Sequence, residues 1–366
     1  MNRRLIPRHF LPGGHSLAGH GRGSGWLEPE PRVTLPALAF HGRIPYLGGM
    51  IDTPAFLDSG RPAVPDLVVP RGVLPFYLAR RPVRGRLVRL GALAEALIGR
   101  HDHGPAVSVL LGEALALVAG LATALKFRGS FSLQIKGDGP VSRLVADCTD
   151  TGALRGYVRV EAERLAAALA GDAAPTAEHL LGRGVFALTV DQGPDAERQQ
   201  GVVALAGPSL ADSVQAYFAS SEQHPVWLRL ACAQTPAGWR AGALVLERIA
   251  GAGGVAQEMD DAAQQESWHT ATLLAETLTG AELLDDALAP EQLLFNLFHE
   301  EAVTAGRARA LAYGCRCSRQ RLSGILEGFT PAELDEMSVA GTVEMTCEFC
   351  NVVFPFPRAE LTGRQA

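Results

Sequence analysis

At 366 residues the chain can bury one large core or two ordinary ones, and 47% hydrophobic with 20% charged residues excludes wholesale disorder. A net charge of −6 and a pI near 5.9 argue against a nucleic-acid binder held by general electrostatics. Lys126 and Lys136 are the only lysines, a bias that, with heavy Ala and Gly usage, reads as codon composition rather than a functional patch.

Residues 1–65 are rich in Gly, Pro, His and Arg without helical or strand periodicity, and read as a disordered or misassigned N-terminal extension, with Met50 an alternative start. Paired arginines at Arg3-Arg4 have no apolar core behind them, so an export signal fails. The absence of acids before Glu28 only weakly mimics an organelle transit peptide. The longest apolar run, Ala114 to Leu125, is too short to span a bilayer. The expectation is a cytoplasmic chain with no membrane partner.

From Asp66 the texture changes. Val83 to Leu90 alternates basic and apolar residues, which predicts a half-exposed strand whose arginines form a solvated face. Leu93 to Arg100 reads as a short helix. Pro105 to Phe127 reads as a long one, apolar almost all round and therefore buried, in which Glu113 must find a partner or lie at the edge. Phe131–Lys136 and Val141–Ala146 flank Gly137-Asp138-Gly139-Pro140 and make a β-hairpin. No G-x-G-x-x-G or G-K-[ST] accompanies the turn, so it is not a phosphate cradle.

Leu154–Val160 is a strand and Glu163–Ala170 a short helix. Val185–Val190 and Gly201–Leu205 form a second hairpin with a longer connection. Ser209 caps a helix running through Ser220, and Trp227–Cys232 and Trp239–Glu247 are strands joined through Pro236-Ala237-Gly238. Residues 66–250 therefore read as one α+β domain built from hairpins rather than an alternating βαβ array.

Gly251–Gly254 marks a boundary. Residues 251–306 contain no Lys or Arg but carry eleven acids: Glu258, Asp260, Asp261, Glu266, Glu276, Glu282, Asp285, Asp286, Glu291, Glu300 and Glu301. Leucines from Leu273 to Leu297 and Phe298 recur at helical spacing. The segment reads as two or three amphipathic helices with like-charged outer faces, which need a neighbour to stay folded.

The neighbour expected from the sequence is residues 307–360, where four of the six cysteines lie as Cys315-Arg316-Cys317 and Cys347-Glu348-Phe349-Cys350, with 29 residues between the pairs. Both spacings let two sulfurs converge, and the intervening segment can fold back to close a four-sulfur cage. Four soft thiolates select zinc, and a full shell leaves no open position for hydrolysis. Two structural disulfides or four unrelated thiols are the alternatives. Without a metal, Cys315 and Cys317 can pair only in a tight, strained ring that is easily reduced, which suggests a redox switch. A unit this small cannot fold on its own apolar surface, so metal loss would unfold it and withdraw support from the acidic helices. Cys148 and Cys232 read as buried small hydrophobes.

With these residues the chain resembles the heat-shock protein 33 family of redox-regulated holdase chaperones over about residues 66–360. The resemblance rests on Gly112-Glu113-Ala114, Lys126-Phe127-x-Gly129, Gly137-Asp138-Gly139-Pro140, Arg155-Gly156-Tyr157, Tyr217-Phe218, Ser221-Glu222-Gln223-x-Pro225, Leu297-Phe298-His299-Glu300 and the two cysteine motifs. It implies an α+β N-terminal domain, a helical linker and a small C-terminal zinc domain, with one zinc held by Cys315, Cys317, Cys347 and Cys350. It also implies that oxidation pairs Cys315 with Cys317 and Cys347 with Cys350, ejects zinc, unfolds the linker and yields a homodimer. The oxidised form then holds unfolded or aggregation-prone client proteins without ATP. Gln199 and Ala243 depart from the family pattern, which leaves local loop packing open.

Other readings are weaker. His299-Glu300 evokes half of a zincin motif, but Val303 stands where the second histidine is required. A C-x-x-C oxidoreductase needs its cysteines at a helix start, whereas Cys347 follows a strand-like run, Thr342-Val343-Glu344-Met345. No enzymatic activity is expected. A structural zinc ribbon binding nucleic acid through Arg316, Arg319 and Arg321 would lack the interleaved aromatics that stack bases.

Overall fold

The structure, a computed structural model, describes residues 33–34 and 65–363 except 126, 172–173, 194–197, 223–224 and 250–258. The rest of the 1–65 extension and the Gly251–Gly254 boundary lie outside the described residues. Strand β1 is Val33–Thr34; β2 is Val68–Leu78 and β3 Val83–Arg89. Helices α1 (Ala92–Ile98) and α2 (Pro105–Ala122) follow, then β4 (Ser130–Gly137), β5 (Val141–Thr149) and β6 (Ala153–Val160). After α3 (Ala162–Gly171) and α4 (Ala177–Leu181) come β7 (Gly184–Asp191), β8 (Gln199–Ala204), α5 (Leu210–Tyr217), β9 (Val226–Thr235) and β10 (Gly238–Arg248). The acidic segment forms α6 (Asp261–Glu276), α7 (Gly280–Leu284) and α8 (Pro290–Phe298). The chain ends through β11 (Val303–Ala305), β12 (Arg309–Tyr313), α9 (Arg319–Leu326), α10 (Pro331–Met337), β13 (Thr342–Thr346) and β14 (Val353–Pro357).

The expected hairpins form, and local chemistry explains why. The β4–β5 turn is held by Asp138, which accepts the Arg183 N–H at 2.7 Å, and a Cβ on Gly139 would meet Leu180 O at 2.5 Å. Ser209 and Asp212 close a capping box at the start of α5. That helix stops at Tyr217 and continues to Glu222 as a wider turn. Helix α2 ends at Ala122 rather than Phe127, because Thr123 folds its hydroxyl back onto Ala119 O at 2.9 Å.

The strands make one mixed sheet in the order β8-β7-β4-β5-β6-β12-β2-β3-β10-β9, with β11 also on β2 and β1 on β11. Helix α2 is long and apolar enough to cross a membrane, but 78% of it is buried here. It lies across the sheet, packing with Val88, Val245, Leu144 and Phe131 from both halves. The other face of β2, β3 and β10 presents Leu74, Phe76, Leu78, Leu87, Leu244 and Leu246, and on it lie Ala271, Leu283, Leu294 and Phe298 of the acidic helices.

Three expectations are corrected by this packing. The β3 arginines are not a solvated face. Arg86 is 7% exposed and Arg84 half-buried, and both bond to buried Glu247 at 2.6–2.7 Å. Alternation turns Arg89 to the opposite side, where it donates to the carbonyls of Glu282, Leu283 and Leu288 and holds the end of α7. The acidic helices are supported by the sheet, not by the cysteine segment. Finally, Arg309–Tyr313, which the sequence placed with the cysteines, is a strand of the main sheet. Its hydrophobic pattern is too short to show which core it joins.

Glu113 lines a cleft of about 300 Å³ with Asp212, Gln215, Arg229 and Glu276. Burial pushes its carboxyl up to about 7 from 4.5. The folded protein thus holds a proton there that the unfolded chain releases, so stability falls as pH rises from 4.5 to about 7. The expected loss is roughly 3 kcal/mol, and E113Q should flatten that slope in urea melts at several pH values. Phe298, fully buried and 5.6 Å from the Phe76 ring, should cost about 3–5 kcal/mol as F298A, read as early proteolysis of α6–α8. L273A, at a 48% exposed position, should stay within about 0.5 kcal/mol of the parent.

Candidate metal centre

Two turns bring the cysteines together. Strand β12 delivers the first pair: Gly314 N–H donates to Leu154 O at 2.8 Å, and Cys315 and Cys317 follow before Ser318 caps α9 by accepting the Arg321 N–H. Strands β13 and β14 deliver the second pair at their connecting turn. Cys347 N–H donates to Val352 O at 3.0 Å, its carbonyl accepts from Asn351 at 2.8 Å, and Asn351 takes a φ of 54° that Asn tolerates.

The sulfurs lie 3.5 Å apart for Cys315–Cys317, 3.7 Å for Cys315–Cys347 and 3.4 Å for Cys317–Cys350, and all four fall within 4.8 Å of one another. A tetrahedral ion with 2.3 Å bonds to sulfur sets such edges at about 3.8 Å, while a disulfide would need about 2.05 Å. The cluster is therefore four free thiols spaced for one tetrahedral metal. Cys315, Cys347 and Cys350 are buried and Cys317 is half-buried. The neighbouring Cys317, Cys347 and Cys350 thiols hold the Cys315 thiol far below its ordinary value while Cys317 and Cys350 are pushed up, so the four sulfurs share protons and favour a thiolate at Cys315.

Cys148 and Cys232 stay apart from the cluster. Burial pushes both thiols up to about 12; Cys148 is buried, as expected, while Cys232 is half-buried. His299 ends α8, its Nδ1 against Phe295 O, and among the described residues no histidine joins the sulfurs.

The cysteine segment has a small core of its own, including Leu322, Leu326, Leu334, Val343, Phe354 and Phe356. It is seated on the main sheet by residues to which the sequence assigned no such packing role. Phe349, between the last two cysteines, meets the Tyr157 ring edge-on at 4.8 Å and lies under the Arg155 guanidinium at 4.1 Å. Arg316, between the first two, pairs with buried Asp147 at 2.5 Å, and Arg155 shares that carboxylate at 3.3 Å. Arg159 pairs with Glu348, and Asn351 donates to Arg100 O at 2.9 Å. Arg155 and Tyr157 stood in a family motif, but Asp147, Arg159 and Arg100 carried no sequence signal, because opposite charges 150 or more residues apart do not announce their partners.

The basic cluster considered for nucleic acid is occupied internally. Arg316 holds Asp147, Arg319 donates to Pro355 O and lies over Phe356, and Arg321 donates to Arg316 O.

The family model described as Hsp33 protein matches residues 72–357. The chain belongs to the Hsp33 family. The 33 kDa chaperonin of Caulobacter vibrioides is 40% identical over 287 residues, covering 77% of this chain and 93% of that protein. The 33 kDa chaperonin of Pseudomonas aeruginosa is 35% identical over 283 residues, covering 76% and 89%. The crystal structure of the 33 kDa chaperonin of Thermotoga maritima superposes with a TM-score of 0.63 at 24% identity, over 80% of this chain and 96% of that one, and so shares the fold. Hsp33 membership gives the chain a chaperone function, which is not an enzyme's role.

For this Hsp33 protein, F349A should leave the four sulfurs and their metal stoichiometry intact while loosening the seat by about 2 kcal/mol, the sum of one aromatic edge contact and one cation–π contact. Hydrogen exchange should rise in residues 315–361 with the bound metal still measurable by a chromophoric chelator.

Proposed function

We propose that this Hsp33 protein is an ATP-independent holdase switched on by oxidants, and that Cys315, Cys317, Cys347 and Cys350 are both its zinc ligands and its redox-active residues. The observation that carries the reading is the set of four reduced sulfurs at metal-cage spacing in a segment with only a small apolar core. Zinc, when bound, supplies the cross-link that such a unit needs, on the scale of about 10–16 kcal/mol for structural zinc peptides.

The working divisions are a 66–250 core, a 251–306 linker and a 307–360 cysteine domain, with β12 shared between core and cysteine domain. Oxidation joins Cys315 to Cys317 and Cys347 to Cys350. Each bond formed takes two electrons from two thiolates and passes them to one peroxide, which with two protons from solvent becomes two waters. All four ligands are then consumed, zinc is released and the segment loses its cross-link. The linker, which follows the same chain through β11 and β12, undocks and uncovers apolar surface for unfolding client proteins. The active species is a homodimer in the cytoplasm, and nucleic acid is not a partner, in keeping with the internal commitments of Arg316, Arg319 and Arg321.

Peroxide under mild heat should release one zinc per chain and suppress aggregation of an unfolding client without ATP. Full activity of the reduced, zinc-loaded protein, or zinc release with no activity, would count against the reading. C350S should bind zinc weakly and show residues 315–361 unprotected in hydrogen exchange while β4 and β5 remain protected.

A further inference from the structure

Strand β12 joins the two halves of the main sheet: on one side lie β8, β7, β4, β5 and β6, on the other β2, β3, β10 and β9. It enters late in the chain and ends at Tyr313, two residues before Cys315. It is also lightly held. It runs parallel to β6 over Ala312 and Tyr313 only, and its antiparallel register with β2 breaks between Arg309 and Leu311. Its N–H groups alternate between neighbours: Ala312 donates to Gly152 O at 2.9 Å, Tyr313 to Leu67 O at 3.0 Å and Gly314 to Leu154 O at 2.8 Å.

The two halves do not depend on β12 alone to stay together, since α2 packs against strands of both. Withdrawal of β12 therefore leaves a gap between two unpaired strand edges over a preserved helix. Such edges are templates for another extended chain, recognised through its backbone rather than its sequence.

We propose that this gap between β2 and β6 is a binding site for extended segments of non-native polypeptides, and that β12 is its resident occupant in the reduced protein. The inference rests on the proposed redox opening, which frees the chain from Cys315 onward and with it β12. Backbone pairing suits a chaperone, because every unfolded chain offers it. The side chains add one restriction. Leu311 is fully buried against Gly72, where a Cβ would lie 2.6 Å from its Cγ, and a Cβ on Gly152 would lie 2.3 Å from Ala310 O. The gap thus takes one large apolar residue flanked by small ones, and excludes proline at the positions that donate to Gly152, Leu67 and Leu154.

Hydrogen exchange on the full-length protein tests this in three states: reduced and zinc-loaded, peroxide-oxidised, and oxidised with a chemically unfolded client. Amides of residues 67–74 and of Leu154, on the two edges that β12 pairs with, should be protected, then exposed, then protected again. A labelled peptide of residues 307–314 should bind the oxidised form, and its version N-methylated at Ala312 and Gly314 should bind about tenfold more weakly, the loss expected from two backbone hydrogen bonds. Client held while both edges stay exposed overturns the site and leaves the redox chaperone standing. Re-protection on oxidation alone with a doubled mass assigns the gap to a second copy and overturns it as a client site. Should oxidation release no zinc, the redox reading fails separately. The gap is then tested in reduced L311D and the milder L311A, which loosen β12 directly, and failure of the peptide to bind either one overturns it.

Discussion

The pairing of β12 between β6 and β2 is the contact on which the rest of the molecule turns. Five residues, drawn from a late part of the chain, complete a sheet whose other members, β11 apart, were laid down before residue 250. Because the acidic helices precede this strand and the cysteines follow it, both are tethered to the same place in the sheet. A change in the state of the sulfurs is therefore felt by the sheet and by the helices through one short strand, without a direct contact between helices and sulfurs being needed.

The surfaces on either side of the sheet differ in kind, and that difference explains how one can be stable and the other releasable. The α2 face is closed by a helix apolar nearly all round, with Arg84 and Arg86 sharing the carboxylate of Glu247. The opposite face is closed by three helices of acidic exterior, two of them short, joined to it by leucines and by Arg89, whose bonds go to three backbone carbonyls. Short helices contribute little stability of their own, so nearly all of theirs comes from that docking. Like charges along their outer faces weaken them further.

The cysteine segment shows the same economy. Its core is small, its cysteines are part of that core, and it leans on the sheet through Phe349, Arg316 and Asn351, residues placed within or directly beside the cysteine motifs. Rearrangement at the sulfurs must move the groups that seat the segment, because Arg316 and Phe349 are sequence neighbours of cysteines.

The cysteine spacing by itself showed that four thiols could meet, while leaving two disulfides or four unrelated thiols as alternatives that the reduced, converging sulfurs of the folded chain replace. The hairpins were equally legible, because alternation and turn residues such as Asp138-Gly139 act over a few positions. The leucine stripes of residues 261–298 declared helices with an apolar side, but not what that side would meet. Only the tertiary structure decided that their partner is the sheet, that Arg86 and Arg89 are engaged on opposite faces, and that Arg309–Tyr313 belongs to the core. Each of those outcomes depends on groups brought together from 150 or more residues apart. Local patterning fixes a residue's periodicity, whereas its neighbour across a sheet is set by register and topology, to which a single strand of five residues adds almost no signal of its own.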